Sequence, residues 1–179
     1  MIGRLALVLL LGGASSLHAQ ATPTASRAGD LQVGVGYTLD RPDYGQQSFH
    51  GFAAYADFDL RSNLGLEAEF HQANTPTNNQ SSQRTYEIGG RYLRTYGALV
   101  PYLKVMFGRG DFNYPFGQTD LAYNLLAGGI GADYKLGPSL RLRAEYEYQN
   151  WYSFSPNGLT PQLVTFGIAY HFAGKPHFQ

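Results

Sequence analysis

All five glutamates of this 179-residue chain fall at alternating positions, and four bases share their parity: Glu67, Glu69, Glu87, Arg91, Lys104, Arg141, Arg143, Glu145 and Glu147. Carboxylates two residues apart, as at 67 and 69 or 145 and 147, project from one face of an extended strand. Paired carboxylates with a base beside them are what general acid–base catalysis uses. The same set also makes a structural ion-pair network, and that is the stronger reading, because no nucleophile, base and orienting acid stand together as sequence neighbours. Five acids against four bases lack the single-sign ring of a selective pore. The aspartates Asp57 and Asp59, with Asp133 and Lys135, are expected lower on the same face, near water. The tripeptide Arg109-Gly110-Asp111, which some adhesion receptors read, is placed at the start of a long loop. Three common residues recur by chance, so no role is assigned to it.

The elements that must position these charges are strands. Arg4 precedes LALVLLL and a run of small residues, with Ala19 and Ala21 forming an A-x-A site. That pattern reads as a secretory signal over 1–21, followed by a flexible lead-in at 22–29. The apolar run is too short to cross a bilayer as a helix, which takes about 20 residues, and no later segment comes closer. About 160 residues remain, one domain's worth. Without cysteine an exported chain relies on no disulfides. Thirteen basic and thirteen acidic residues leave no net field to attract nucleic acid. Fourteen Tyr, eleven Phe and 22 Gly, without helical periodicity, favour strands and turns.

Eight alternating segments can be drawn, at 31–39, 49–60, 64–72, 84–94, 99–109, 121–136, 140–149 and 161–172. Their connections alternate between short turns, RSN (61–63), TYGA (95–98) and GPS (137–139), and longer loops. The even count lets the first strand pair with the last, and closure leaves no edge of unpaired backbone. The tail at 173–179 lies outside the last strand.

One hairpin is written twice. ADFDLRSNLGLEAEF (56–70) recurs as ADYKLGPSLRLRAEY (132–146), with every apolar position kept. Four strands separate the copies, so Glu67 and Glu69 are expected to face Arg141, Arg143 and Glu145 across the barrel. Alternation gives one oily and one ionic face without saying which is outside. A soluble ligand-binding barrel would turn the oily face inward; a membrane barrel would turn it outward. Aromatic placement favours the membrane barrel. Tyr37, Phe52, Phe70, Tyr86, Phe107 and Tyr146 fall toward the long-loop ends, and Phe58, Tyr92, Tyr134, Tyr170 and Phe172 toward the short turns. Two girdles belong to a membrane barrel. The inward glycines, Gly34 and Gly131 among them, leave space for long charged side chains, so a plugged lumen is expected.

With strands such as YADFDLRSNLGLEAEF and GADYKLGPSLRLRAEYEY, and a closing TFGIAYHF, the chain resembles the outer membrane protein β-barrel domain family over 30–172. That family includes the OmpA transmembrane domain and its small single-domain relatives. The resemblance implies an all-β, eight-stranded antiparallel up-and-down transmembrane barrel in the outer membrane of a Gram-negative type cell. Its short turns and both termini would be periplasmic, and its longer loops extracellular. Implied partners are membrane lipid and lipopolysaccharide and the barrel assembly machinery, with no nucleic acid, and the protein is expected to be a monomer. The aromatic end of the last strand looks like the signal by which such barrels are recognised for assembly. No second domain is expected, so wall anchoring is not implied.

Barrels of this kind that hydrolyse lipid A carry a lipid-facing His, Ser and acid, and a His-x-Ser-Asn motif marks the deacylases. The corresponding segment YQNWYSFSPNG (148–158) has no His. Among His50, His71, His171 and His177, only His50 has a serine two residues away, Ser48. His71 and His171 are expected to be isolated, toward opposite ends of the barrel, with no closely spaced His or Cys partner, so neither a metal nor a cofactor is expected. Loop residues 111–120 and 150–158 are rich in aromatic and amide groups suited to sugar or protein surfaces, or to lipopolysaccharide at the rim. A structural or surface-interaction role without catalysis is the expectation. The alternatives are a lipid A-modifying enzyme and a soluble periplasmic ligand-binding barrel.

Overall fold

Period-two alternation folds here into eight strands: β1 (Asp30–Arg41), β2 (Phe49–Asp59), β3 (Leu64–Asn74), β4 (Ser82–Leu93), β5 (Leu99–Asn113), β6 (Asp120–Lys135), β7 (Leu140–Asn150) and β8 (Gln162–Phe172). The computed structural model describes residues 30–43, 48–74, 82–113, 120–152 and 158–172. The expected signal, lead-in and C-terminal tail lie outside the described residues. Every strand pairs antiparallel with its chain neighbours, and β1 also pairs with β8 from Leu31↔Phe172 to Arg41↔Gln162, so the sheet closes on itself. All eight segments drawn from the alternation are strands of this closed barrel.

The short turns are tight because their backbone allows it. Tyr96 and Leu99 exchange N–H···O=C bonds of 2.7 and 3.0 Å around a two-residue turn. Gly97 there has φ 61°, a left-handed conformation that a side chain would strain. The largest departure from the sequence reading is at the other end, where β5 runs on to Asn113. Arg109-Gly110-Asp111 is therefore strand rather than the start of a loop. Alternation continues past it because Phe112 has an inward site to fill, 2% exposed.

The oily face points out. Val105 is 64% and Ile88 63% exposed, and Val35, Leu103, Leu126, Ile130, Phe166 and Ile168 are likewise exposed. A continuous band of exposed hydrocarbon is untenable in water and is what lipid requires; it excludes the soluble ligand-binding barrel. Aromatic rings mark the band's edges. Toward the long loops Phe52, Phe70 and Tyr86 pack in sequence at 5.7 and 5.1 Å between centroids, and toward the short turns Tyr170 meets Phe172 edge-on at 4.8 Å. Facing inward, Gly34 and Gly131 make room for rings. A Cβ on either would collide with Tyr55 or Tyr102, respectively.

Candidate functional site: a lumen filled in tiers

The interior of an eight-strand barrel is just wide enough for side chains to fill, and here they fill it in tiers. Nearest the short turns is an open mouth of about 670 Å³ lined by Asp30, Asp59, Arg61, Arg94, Lys135 and Arg141 among others. Above it lies a guanidinium tier. Arg143 comes from β7, donating from Nη2 to Asp57 Oδ2 at 2.6 Å and from Nε to Asp133 Oδ1 at 2.9 Å. Arg91, from β4, reaches the same two aspartates at 2.9 and 3.3 Å. Each aspartate therefore bridges both cations. The flat cation of Arg143 lies 3.8 Å from the Tyr55 ring centroid and 5.0 Å from that of Tyr102. Rings on a desolvated guanidinium add to its stabilisation.

Glu67 joins this tier to the next. Its Oε2 lies 3.3 Å from Arg91 and 3.4 Å from Arg143, while its Oε1 accepts from Lys104 Nζ at 3.1 Å. Lys104, on β5, also contacts Glu69, Glu145 at 2.7 Å and Glu147 at 2.7 Å, so one ammonium holds four carboxylates from two opposed strands. The Tyr102 hydroxyl donates to Glu145 Oε2 at 2.5 Å. Gln149 Nε2 donates to Glu87 Oε1 at 2.7 Å and to Glu147 Oε1 at 2.8 Å, and Gln149 in turn accepts from Trp151 Nε1 at 2.9 Å.

Trp151 caps the lumen. Fully buried at 0% exposure, it packs with Phe49, Met106, Phe112, Leu125 and Leu159 in an apolar cluster, with Tyr123 against it. The backbone bridge Trp151↔Leu159 fixes it from above, and Gly110 gives its ring room. Phe112 and Trp151, read from the sequence as loop aromatics available to outside surfaces, point into the barrel instead.

Seven of the nine charged residues singled out in the sequence touch one another as ion pairs: Glu67, Glu69, Arg91, Lys104, Arg143, Glu145 and Glu147. Glu87 joins through Gln149. Arg141 stands apart at the open mouth, because it lies next to the β6–β7 turn, opposite Lys135. Three expectations need correction. Asp57 and Asp133 are not near water; they are 1% and 0% exposed and are the main partners of the two arginines. His71 is not isolated, its Nε2 lying 3.1 Å from Glu69 Oε1. Nor is buried charge nearly balanced. Among the described residues the buried acids are Asp40, Asp57, Glu67, Glu69, Glu87, Asp133, Glu145 and Glu147, and the buried bases other than histidine are Arg91, Lys104, Arg141 and Arg143. Outside the lumen, His50 is exposed, with its Nδ1 2.6 Å from the Tyr37 hydroxyl.

Residues 6–172 match the model of the outer membrane protein beta-barrel domain family. The chain belongs to that family. It is accordingly a protein of the cell outer membrane, and its exposed band faces the lipid and lipopolysaccharide of that membrane. No curated protein matches it in sequence. Among solved structures it is similar to Neisserial surface protein A (TM-score 0.67, 13% identity, 80% of this chain and 97% of that one). Ail, the attachment invasion locus protein of Yersinia pestis, is another (0.59, 19%, 82% and 100%). OprG of Pseudomonas aeruginosa is a third (0.58, 16%, 83% and 98%). At these identities the likeness is one of fold.

Sequence reasoning passed over Tyr55, Tyr102 and Gln149, took Trp151 for a loop residue and placed Asp57 and Asp133 near water. Two of these carried a readable signal. Asp57 stands as far before the RSN turn as Glu67 stands after it, and hairpin pairing puts them opposite each other. Tyr55 shares the parity of the charges and is the aromatic nearest Asp57 on that face.

Proposed function

We propose that this outer membrane barrel is a structural or surface-interaction protein whose plugged, charged lumen neither conducts nor catalyses. The observation that carries the reading is the continuous filling of the bore, with the guanidinium tier, the Lys104 tier and the Trp151 plug stacked one above another. A bore closed by side chains leaves the outside rim and the lipid-facing wall as the working surfaces. Support for the rim comes from similarity to a Neisserial surface protein and to an attachment invasion locus protein. In this reading the barrel is a monomer delivered by the assembly machinery, and Glu67, Glu69, Glu87, Arg91, Lys104, Arg143, Glu145 and Glu147 are scaffold, with Arg141 lining the periplasmic mouth.

The test is reconstitution into planar bilayers together with mass spectrometry of lipid A from cells that overproduce the protein. Flat current traces and unaltered lipid A are expected. Stepwise conductance, or a lipid A change that disappears in Ser48→Ala or His50→Ala, would overturn the proposal.

A further inference from the structure

The two charged tiers meet their charge differently. In the lower one, two guanidiniums answer Asp57, Asp133 and part of Glu67. In the upper one, Asp40, Glu69, Glu87, Glu145 and Glu147 are all at most 5% exposed, and the cations among them are Lys104 and, when protonated, His71. Ionised carboxylates out of water are very costly unless a partner answers them. Lys104 is already shared by four.

Two further observations point to a missing partner. His71 Nε2 and Glu69 Oε1 face each other at 3.1 Å, yet neither makes a hydrogen bond of acceptable geometry. Asp40 is 1% exposed, and both of its carboxylate oxygens are buried without a hydrogen-bond partner. One donor atom each from Glu69, His71 and Glu147 lie within 4.8 Å of one another. Asp40 is close to them along the sheet, since Asp40 and Glu147 flank the same β8 residue, Leu163, from its two sides.

We propose that the upper lumen is a binding site for one divalent cation of the zinc type, ligated by His71, Glu69 and Glu147. An imidazole nitrogen with two carboxylate oxygens, all buried, suits a borderline four-coordinate cation that takes a water in its fourth position. Calcium and magnesium prefer six or more oxygens and keep waters. Outer contacts of the kind that orient metal ligands are in place. His71 Nδ1 lies 3.5 Å from Thr38 Oγ1, and Gln149 holds Glu147. Because Trp151 seals the tier from the loop side, the ion is taken up as the barrel closes. Binding then stabilises the folded state alone.

Cobalt(II) is the probe, since it takes the same ligands and shows visible d–d absorption. The protein is unfolded in urea with a chelator, refolded into detergent micelles with cobalt, and passed over a chelating resin. About one cobalt per folded chain, with d–d bands, is expected for the wild type and for His50→Ala, whose histidine is exposed at the rim. Cobalt content falling to about none is expected for His71→Ala and for Glu147→Gln. Metal retained equally by His71→Ala, or none retained by folded wild type, overturns the proposal. Should either variant fail to fold, the decision rests on wild type against His50→Ala, with native mass spectrometry counting the ions held by the folded chain.

Discussion

The repeated hairpin allows one half of the barrel to be compared with the other. β2–β3 and β6–β7 keep the same outward positions, with Ala56 opposite Ala68 in one and Ala132 opposite Ala144 in the other. Their inward faces have parted. The first copy offers only acids, Asp57, Asp59, Glu67 and Glu69, whereas the second mixes Asp133 and Glu145 with Lys135, Arg141 and Arg143. Arg143 of the second copy reaches Asp57 and Glu67 of the first, and Lys104, midway between on β5, ties Glu67 and Glu69 to Glu145 and Glu147. Lipid holds the outer positions to one chemistry. The lumen requires that opposed walls complement each other, and two identical walls of charge would repel.

Breaking that complementarity should have effects of graded size, read as urea unfolding free energies in lipid or detergent by heat-dependent gel mobility. Lys104→Met removes the cation shared by both copies and should cost the most, about 5 kcal/mol, because carboxylates on both walls are left buried without it. Arg143→Ala should cost about 3 to 5 kcal/mol by stranding Asp57 and Asp133. Adding Asp57→Asn should recover part of this, with a coupling of about 1 to 3 kcal/mol; strict additivity of the pair would mean the two walls do not cooperate. Ala68→Arg and Ala144→Arg, equivalent outward positions, should cost about 2 to 4 kcal/mol each and nearly the same as each other. A large gap between them would show that the two copies sit at different depths. Exchanging RSN at 61–63 for GPS should stay within about 0.5 kcal/mol, since the turn is exposed and the exchange keeps its length.

The outer surface was legible from the sequence because period two is a local property: each of Leu64, Leu66 and Ala68 announces its face by its neighbours alone. The inner surface was legible only as parity. Which inward side chains meet depends on height within the bore and on strand pairing, neither of which is local. Arg141 and Arg143 look alike in the sequence, yet the second is at the centre of the guanidinium tier and the first lines the open mouth. His71 looked isolated because its partners, Glu69 apart, come from strands distant in sequence, Thr38 on β1 and Glu147 on β7. Trp151 was hidden for a different reason. It follows the end of β7, where alternation no longer says which way a side chain points, and its direction is set by the bridge to Leu159.

That cap is also the chain's one tryptophan. Its indole is enclosed by the barrel wall rather than by lipid, so the protein carries an internal optical probe of its own closure. Emission should shift to the blue only when β7 and β8 have brought the ring beneath Leu159. Lipid-borne quenchers should scarcely dim it, although they sit against the outer face of the same strands.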